Sequence, residues 1–184
     1  MKGIILHGGY GTRLRPITHT GPKQLIPIAG KPMSQYVLED LKDAGIKEIG
    51  IVLGDLYPEK VREYYGDGSR FGINITYIYQ GVPLGIAHAI KVCKEFVKND
   101  KFVVYLGDNI LRGGIRNFVK KFEEGDQDSM ILLSKVPNPQ RFGVAKFDEK
   151  GRLIELVEKP KVPPSPYALV GVYFFKSIIF KAID

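Results

Sequence analysis

Cysteine is nearly missing from this 184-residue chain: Cys93 stands alone, so no intrachain disulfide can form. No apolar run approaches the ~20 residues needed to span a bilayer. The first residues lead directly into a strand-like segment, with no signal peptide ahead of it. Together these absences give cytoplasmic as the expected location. Lys and Arg number 27 against 20 Asp and Glu, a net charge of +7. No basic helix and no aromatic–basic repeat gathers those cations. That argues against nucleic acid and for small anionic substrates. There is no internal repeat, and the only low-complexity patch, Val162-Pro163-Pro164-Ser165-Pro166, reads as a stiff loop. A hydrophobic content of 44% and a charged content of 26% are ordinary for a globular protein, and the length suits one domain with a single sizeable core.

Two common phosphate-binding loops are also missing. Gly9-x-Gly11 begins like a dinucleotide fingerprint, but Leu14 stands where its third glycine belongs. No Gly-Lys-Ser/Thr ending marks a Walker loop, and Pro16, Pro22 and Pro27 argue against a helix before Lys31. What is present is the apolar run Gly3-Ile4-Ile5-Leu6, read as a buried parallel strand, followed by Gly8-Gly9-Tyr10-Gly11-Thr12-Arg13-Leu14-Arg15-Pro16 and then Pro22-Lys23-Gln24-Leu25-Ile26-Pro27. Glycines at a strand exit let the backbone turn and approach a ligand closely. Arg13, Arg15 and Lys23 add cations to the same loop. A phosphate site is the functional reading; a glycine-rich turn with surface cations is the bland one.

Strand and helix patterns alternate along the rest of the chain. Apolar residues at helical spacing mark a helix from Met33 to Ala44, with Pro32 at its start and Gly45 at its end. Glu48–Leu53, Asn74–Tyr79 and Phe102–Leu106 read as strands, with a short helix over Pro58–Tyr65. Ile86, Ala89, Ile90, Cys93 and Phe96 fall on one face of a single amphipathic helix. A helix follows over Ile115–Phe122, then strands over 130–134, 144–147, 153–157 and 169–175, and the start of a helix at Ser177. This alternation predicts an α/β fold with a doubly wound, mostly parallel sheet.

Five short motifs occur in order after the first loop: Gln80-Gly81-Val82-Pro83-Leu84-Gly85-Ile86-Ala87-His88-Ala89, Leu106-Gly107-Asp108-Asn109, Arg141-Phe142-Gly143-Val144, Glu158-Lys159-Pro160 and Val170-Gly171-Val172-Tyr173. With the stretch Gly8 to Met33, they resemble the sugar-1-phosphate nucleotidylyltransferases over essentially the whole chain. The resemblance implies a nucleotide-diphospho-sugar transferase fold, with residues 1–110 binding nucleotide and 111–184 beginning a sugar-phosphate part. Because members of that family continue well past this length, the chain is expected to be an amino-terminal portion whose own turnover is impaired. It further implies dTTP and glucose 1-phosphate as substrates and Mg²⁺ as cofactor, with neither nucleic acid nor membrane as partner. Homo-oligomeric assembly is left open.

The reaction so implied needs no nucleophilic Ser or Cys, because the attacking sugar phosphate is already an anion. It needs two polyanions held together and charge stabilised on the leaving pyrophosphate. By resemblance, Gly8, Gly9, Gly11 and Thr12 cradle the nucleotide with Gln24, Arg13 faces the outer phosphates as a fork of donors, and Lys23 acts as a point charge. Arg13, Lys23 and Asp108 are the expected catalytic residues. From the residues alone Asp108 suits a metal ligand or a turn cap equally; the resemblance favours the metal. Gln80 is the candidate base reader, since its amide can meet both N3–H and O4 of thymine or uracil, with Pro83 and Gly85 as the pocket wall. An exposed polar residue at a strand end is the ordinary fate of such a Gln. Asn109, Gly143, Glu158, Lys159 and Val170 are expected to hold the sugar phosphate, although Glu158-Lys159-Pro160 equally suits a solvated strand end. Cys93 reads as core, His88 as a packing or hydrogen-bonding residue, and His7 as a departure from the small residue usual in the family. The alternatives are a UTP- or GTP-dependent enzyme of the same fold, or a catalytically silent nucleotide-binding module.

Overall fold

The computed structural model describes residues 1–183. Its elements in chain order are β1 (Lys2–His7), β2 (Pro27–Ile28), β3 (Lys31–Pro32), α1 (Met33–Asp43), β4 (Glu48–Gly54), α2 (Pro58–Tyr65), β5 (Asn74–Gly81), α3 (Ile86–Lys91), α4 (Lys94–Val97), β6 (Phe102–Leu106), α5 (Arg116–Glu124), β7 (Ser129–Lys135), β8 (Gly143–Phe147), β9 (Leu153–Glu158), β10 (Tyr167–Phe175) and α6 (Ile179–Ile183). Contacts divide them into two compact units, 1–130 with 173–184, and 131–172.

In the first unit the strands run in the order β5-β4-β1-β6, all parallel. Ile4, Ile5, Ile49, Ile51, Val103 and Val104 are fully buried whichever face they point to. Their continuous apolar character follows from helices covering both faces. On one face, α1 contributes Val37, Leu38 and Leu41 to the core. It lies so close to β1 that a Cβ on Gly3 would stand 3.1 Å from Leu41 Cδ1. The helix stops as its sequence predicts. Gly45 turns left-handed at φ 86, Ile46 N–H donates to Leu41 O at 3.0 Å and Gly45 N–H to Lys42 O at 2.8 Å, which satisfies the last carbonyls. On the other face, Ala89, Ile90, Cys93, Val97 and Phe180 pack with Ile4, Val52 and Phe102.

The segment 86–97 departs from its pattern. One amphipathic helix is predicted; two short ones form, with a tight turn at Cys93, whose N–H reaches Ile90 O at 2.9 Å. The turn moves the next core contact from Phe96 to Val97, which is fully buried, while Phe96 packs at the margin. Cys93 is core, as expected, and burial pushes its thiol up to about 12.

In the second unit the pairings of β8 are antiparallel. β8 pairs with β9 from Gly143↔Glu158 to Phe147↔Leu153, and with β10 at Val144↔Ala168. Asp148 shapes the β8–β9 turn by accepting the Lys150 and Arg152 N–H groups at 3.0 and 2.8 Å. Among the described residues, no helix is long and apolar enough to cross a membrane.

Candidate active site

Strand order places a crevice. The chain moves from β1 outward to β4 and β5, then returns to the far side of β1 with β6. The order therefore reverses between β1 and β6, and ligands in open α/β sheets bind at the carboxyl ends flanking such a reversal. The glycine loop leaves β1 there and Asp108 leaves β6 there. Gly107 holds the second strand's exit against the first. Its N–H donates to Leu6 O at 3.0 Å, and a Cβ at 107 would stand only 2.8 Å from that same oxygen.

The glycine loop has no α-helix before residue 33, as its prolines predict, but three 3-10 turns instead. Gly11 opens the first of them at φ +59, and Thr18 Oγ1 pins it by donating to Gly11 O at 2.9 Å. Lys23 and Gln24 sit on the third. Gln24 is buried, and its Nε2 donates to Gly8 O at 3.0 Å. Among the described residues its Oε1 has no partner, although the residue lines the crevice. A buried acceptor left unpaired invites a donor from a ligand.

Two cavities open at the crevice, and both are lined by Gly9, Lys23 and Asp108. The first has a volume of about 250 Å³. Leu6, Ile86, Ala89 and Leu106 give it an apolar lining; Gly8, Gln80, Pro83 and Gly85 also border it. The second, of about 500 Å³, is walled by Tyr10, Gly11, Thr12 and Arg13. Every residue assigned to the nucleotide from the sequence therefore lines one cavity or the other. Arg15 lines neither. Arg13 is exposed and makes no ion pair among the described residues.

Lys23 and Asp108, assigned separately from the sequence, meet directly: Lys23 Nζ donates to Asp108 Oδ2. Gln80 is held more firmly than its sequence suggests. Its Nε2 donates to Gly85 O at 3.1 Å and lies 3.3 Å from His88 Nδ1. A flipped amide would set two oxygens against each other at Gly85, so this orientation is the stable one. His7, at the end of β1, is buried with its ring edge-on to Tyr65 and, among the described residues, no partner for either ring nitrogen. Burial pushes it down to about 3, against an opposing pull from Asp108. It is neutral at physiological pH, and nothing in the sequence foretold its isolation.

Asn109 follows in the turn after β6, its N–H donating to Leu106 O at 3.1 Å. The other residues assigned to the sugar phosphate lie in the second unit. A Cβ on Gly143 would stand 3.2 Å from Glu158 Oε2, and Lys159 Nζ pairs with Glu158 Oε1 at 2.8 Å. Lys159 is left-handed at φ 43, a costly state for a residue with a Cβ. Val170 lies on β10.

Such a crevice, with a glycine loop on one strand exit and a carboxylate on the next, accords with the comparisons to known proteins. The family described as nucleotidyl transferase matches residues 2–184, and this chain belongs to it. It is 54% identical over 184 residues to the low-salt glycan biosynthesis nucleotidyltransferase Agl11 of Haloferax volcanii, covering all of this chain and 52% of that protein. It is 47% identical over 183 residues to a glucose-1-phosphate thymidylyltransferase of Streptomyces griseus, covering 51% of it. The chain thus spans about half the length of the curated relatives it matches. A protein described as a glucose-1-phosphate thymidylyltransferase of Bacillus anthracis, solved with sucrose, superposes with a TM-score of 0.94 at 42% identity, over 98% of this chain and 73% of that one. A UDP-glucose pyrophosphorylase solved with UDP-glucose follows at 0.85 and 27% identity, over 98% and 77%. The fold is that of the nucleotide-diphospho-sugar transferases, as the sequence predicts.

Proposed function

We propose that this chain carries the nucleotide site of an enzyme that transfers a thymidylyl group from dTTP to glucose 1-phosphate. A phosphate oxygen of the sugar forms a bond to the α-phosphorus. The bond from that phosphorus to the bridging oxygen breaks, and its electron pair leaves with pyrophosphate. The observation that carries this reading is the pair of adjoining cavities: one apolar and bordered by an oriented amide, the other walled by glycine backbone and Arg13. The first suits a pyrimidine base and the second a triphosphate.

Each residue then has a physical task. Gln80 Oε1 accepts from N3–H of the base: its Nε2 already donates to Gly85 O and lies 3.3 Å from His88 Nδ1, which accepts when the imidazole carries its proton on Nε2. Backbone groups from Gly8 to Thr12 follow the phosphates. Arg13 meets charge building on the leaving pyrophosphate, where a donor already in place needs no reorganisation. Lys23 neutralises phosphate charge beside it. Asn109, at the exit of β6, and Gly143, Glu158, Lys159 and Val170, in the second unit, are assigned to the sugar phosphate.

Among the described residues no cluster of three His, Cys, Asp or Glu could hold a metal by itself. Asp108 is the one carboxylate shared by the two cavities. That donor set fits Mg²⁺, which is ordinarily held by one or two carboxylates together with substrate phosphates. Asp108 would hold the ion, which when bound supplies charge neutralisation.

A uridylyl enzyme is the second reading, favoured by the superposition on UDP-glucose pyrophosphorylase. An acceptor aimed at N3–H takes uracil as readily as thymine. The test is pyrophosphate release with glucose 1-phosphate against dTTP, UTP, GTP and CTP. We expect dTTP first, UTP second, and little from the others; a preference for GTP or CTP would overturn the assignment.

A further inference from the structure

We infer that His88 is a positioning residue for base selection, acting through Gln80; this rests on the nucleotide reading above. His88 belongs to the first turn of α3, just after Gly85, and is half-buried. Its Nδ1 faces Gln80 Nε2 at 3.3 Å, and the same Nε2 donates to Gly85 O at 3.1 Å. An amide nitrogen has two hydrogens. The Gly85 carbonyl takes one, and an imidazole carrying its proton on Nε2 offers Nδ1 as acceptor for the other.

The consequence is that Gln80 shows the cavity an acceptor and no free donor. Its Oε1 lies on the side of Gly8, where a Cβ would stand 3.1 Å from it, and Gly8 and Gln80 both line the apolar cavity. Thymine and uracil present N3–H, a donor. Cytosine presents a lone pair at N3. Against a fixed oxygen that lone pair is repelled, whereas an amide free to rotate would offer it an N–H. Rejection of cytosine therefore depends on what prevents the amide from turning. The Gly85 carbonyl supplies one restraint and His88 the second. A role in packing alone would place no demand on the acceptor character of residue 88.

The experiment is calorimetric binding of dTTP and of CTP to wild type, His88→Leu and His88→Asn. Leucine fills the space without an acceptor, while asparagine sets an amide oxygen near the position of Nδ1. Loss of one neutral hydrogen bond should reduce the dTTP-to-CTP affinity ratio about fivefold in His88→Leu, mainly through tighter CTP binding. His88→Asn should restore the wild-type ratio. An unchanged ratio in His88→Leu, or an Asn variant no better than Leu, would overturn the positioning role and leave the nucleotide site standing. Failure of wild type to bind dTTP would overturn the nucleotide reading itself, and this role with it.

Discussion

The Lys23 ammonium rests on the Asp108 carboxylate, joining the glycine loop to the exit of β6 across 85 positions of sequence. Both residues line both cavities, so the pair marks their meeting point. Their side chains are 25% and 30% exposed, open enough for solvent to screen the attraction. Lys23→Ala should therefore change unfolding free energy by no more than about 1 kcal/mol. Its effect on nucleotide should be larger, since the proposed reading makes Lys23 a phosphate-facing cation: dTTP affinity is expected to fall at least about tenfold. Urea unfolding and calorimetry on one preparation measure both. A large stability loss with unchanged dTTP binding would make the pair structural.

Arg13→Ala should damage rate more than affinity. Arg13 lines the second cavity and makes no ion pair among the described residues, so on the proposed reading its contact can strengthen as charge grows on the leaving group. Removing a donor of this kind costs on the order of 10²–10³ in kcat. Steady-state kinetics decide it: a raised KM with unchanged kcat would assign Arg13 to ground-state binding.

His7 makes stability pH-dependent in a defined window. Its folded value, about 3, lies below the ordinary 6.5, so the unfolded chain takes up the proton first. The stability tied to neutral His7 is fully present above about pH 6.5 and is lost as pH falls toward 3. From pH 7.5 to pH 5 the loss should reach about 2 kcal/mol. Urea midpoints of wild type and His7→Ala across this range provide the comparison. The variant, though less stable at neutral pH, should show a shallower decline. Parallel curves would mean that His7 is solvated or protonated in the fold.

Much of this was legible in the sequence. The apolar run Gly3 to Leu6 and the prolines of the first loop foretold a strand followed by a long non-helical segment, because both are local effects. Gly45 foretold the end of α1 for the same reason. The break at Cys93 was not legible, since Ile86, Ala89, Ile90 and Cys93 keep helical spacing up to it, whereas the core cluster that Ala89, Ile90 and Cys93 join includes Phe102 and Phe180, which the local pattern does not reveal. The candidate site divides likewise. Its residues could be named from their motifs, but the meeting of Lys23 with Asp108 depends on a crossover spanning half the chain. Gln80 was read as offering both a donor and an acceptor to the base. The contacts of its Nε2 with Gly85 O and His88 Nδ1, which underlie the orientation proposed above, could not be read from the motif.

Gln80→Ala follows from that orientation. Removing the oxygen leaves N3–H of a bound thymine without its partner, at about 1–3 kcal/mol. The gap in kcat/KM between dTTP and CTP should narrow, chiefly through slower use of dTTP. A gap of unchanged width would mean that another group reads the base.

Transfer itself is tested most directly with dTTP labelled at the α-phosphorus, incubated with glucose 1-phosphate and Mg²⁺ and followed chromatographically. Attack at that atom predicts label in a sugar nucleotide, with none in the released pyrophosphate, and loss of the product signal in Asp108→Asn. Bound dTTP with no labelled sugar product at any time would contradict the account and leave a nucleotide-binding module without transferase activity.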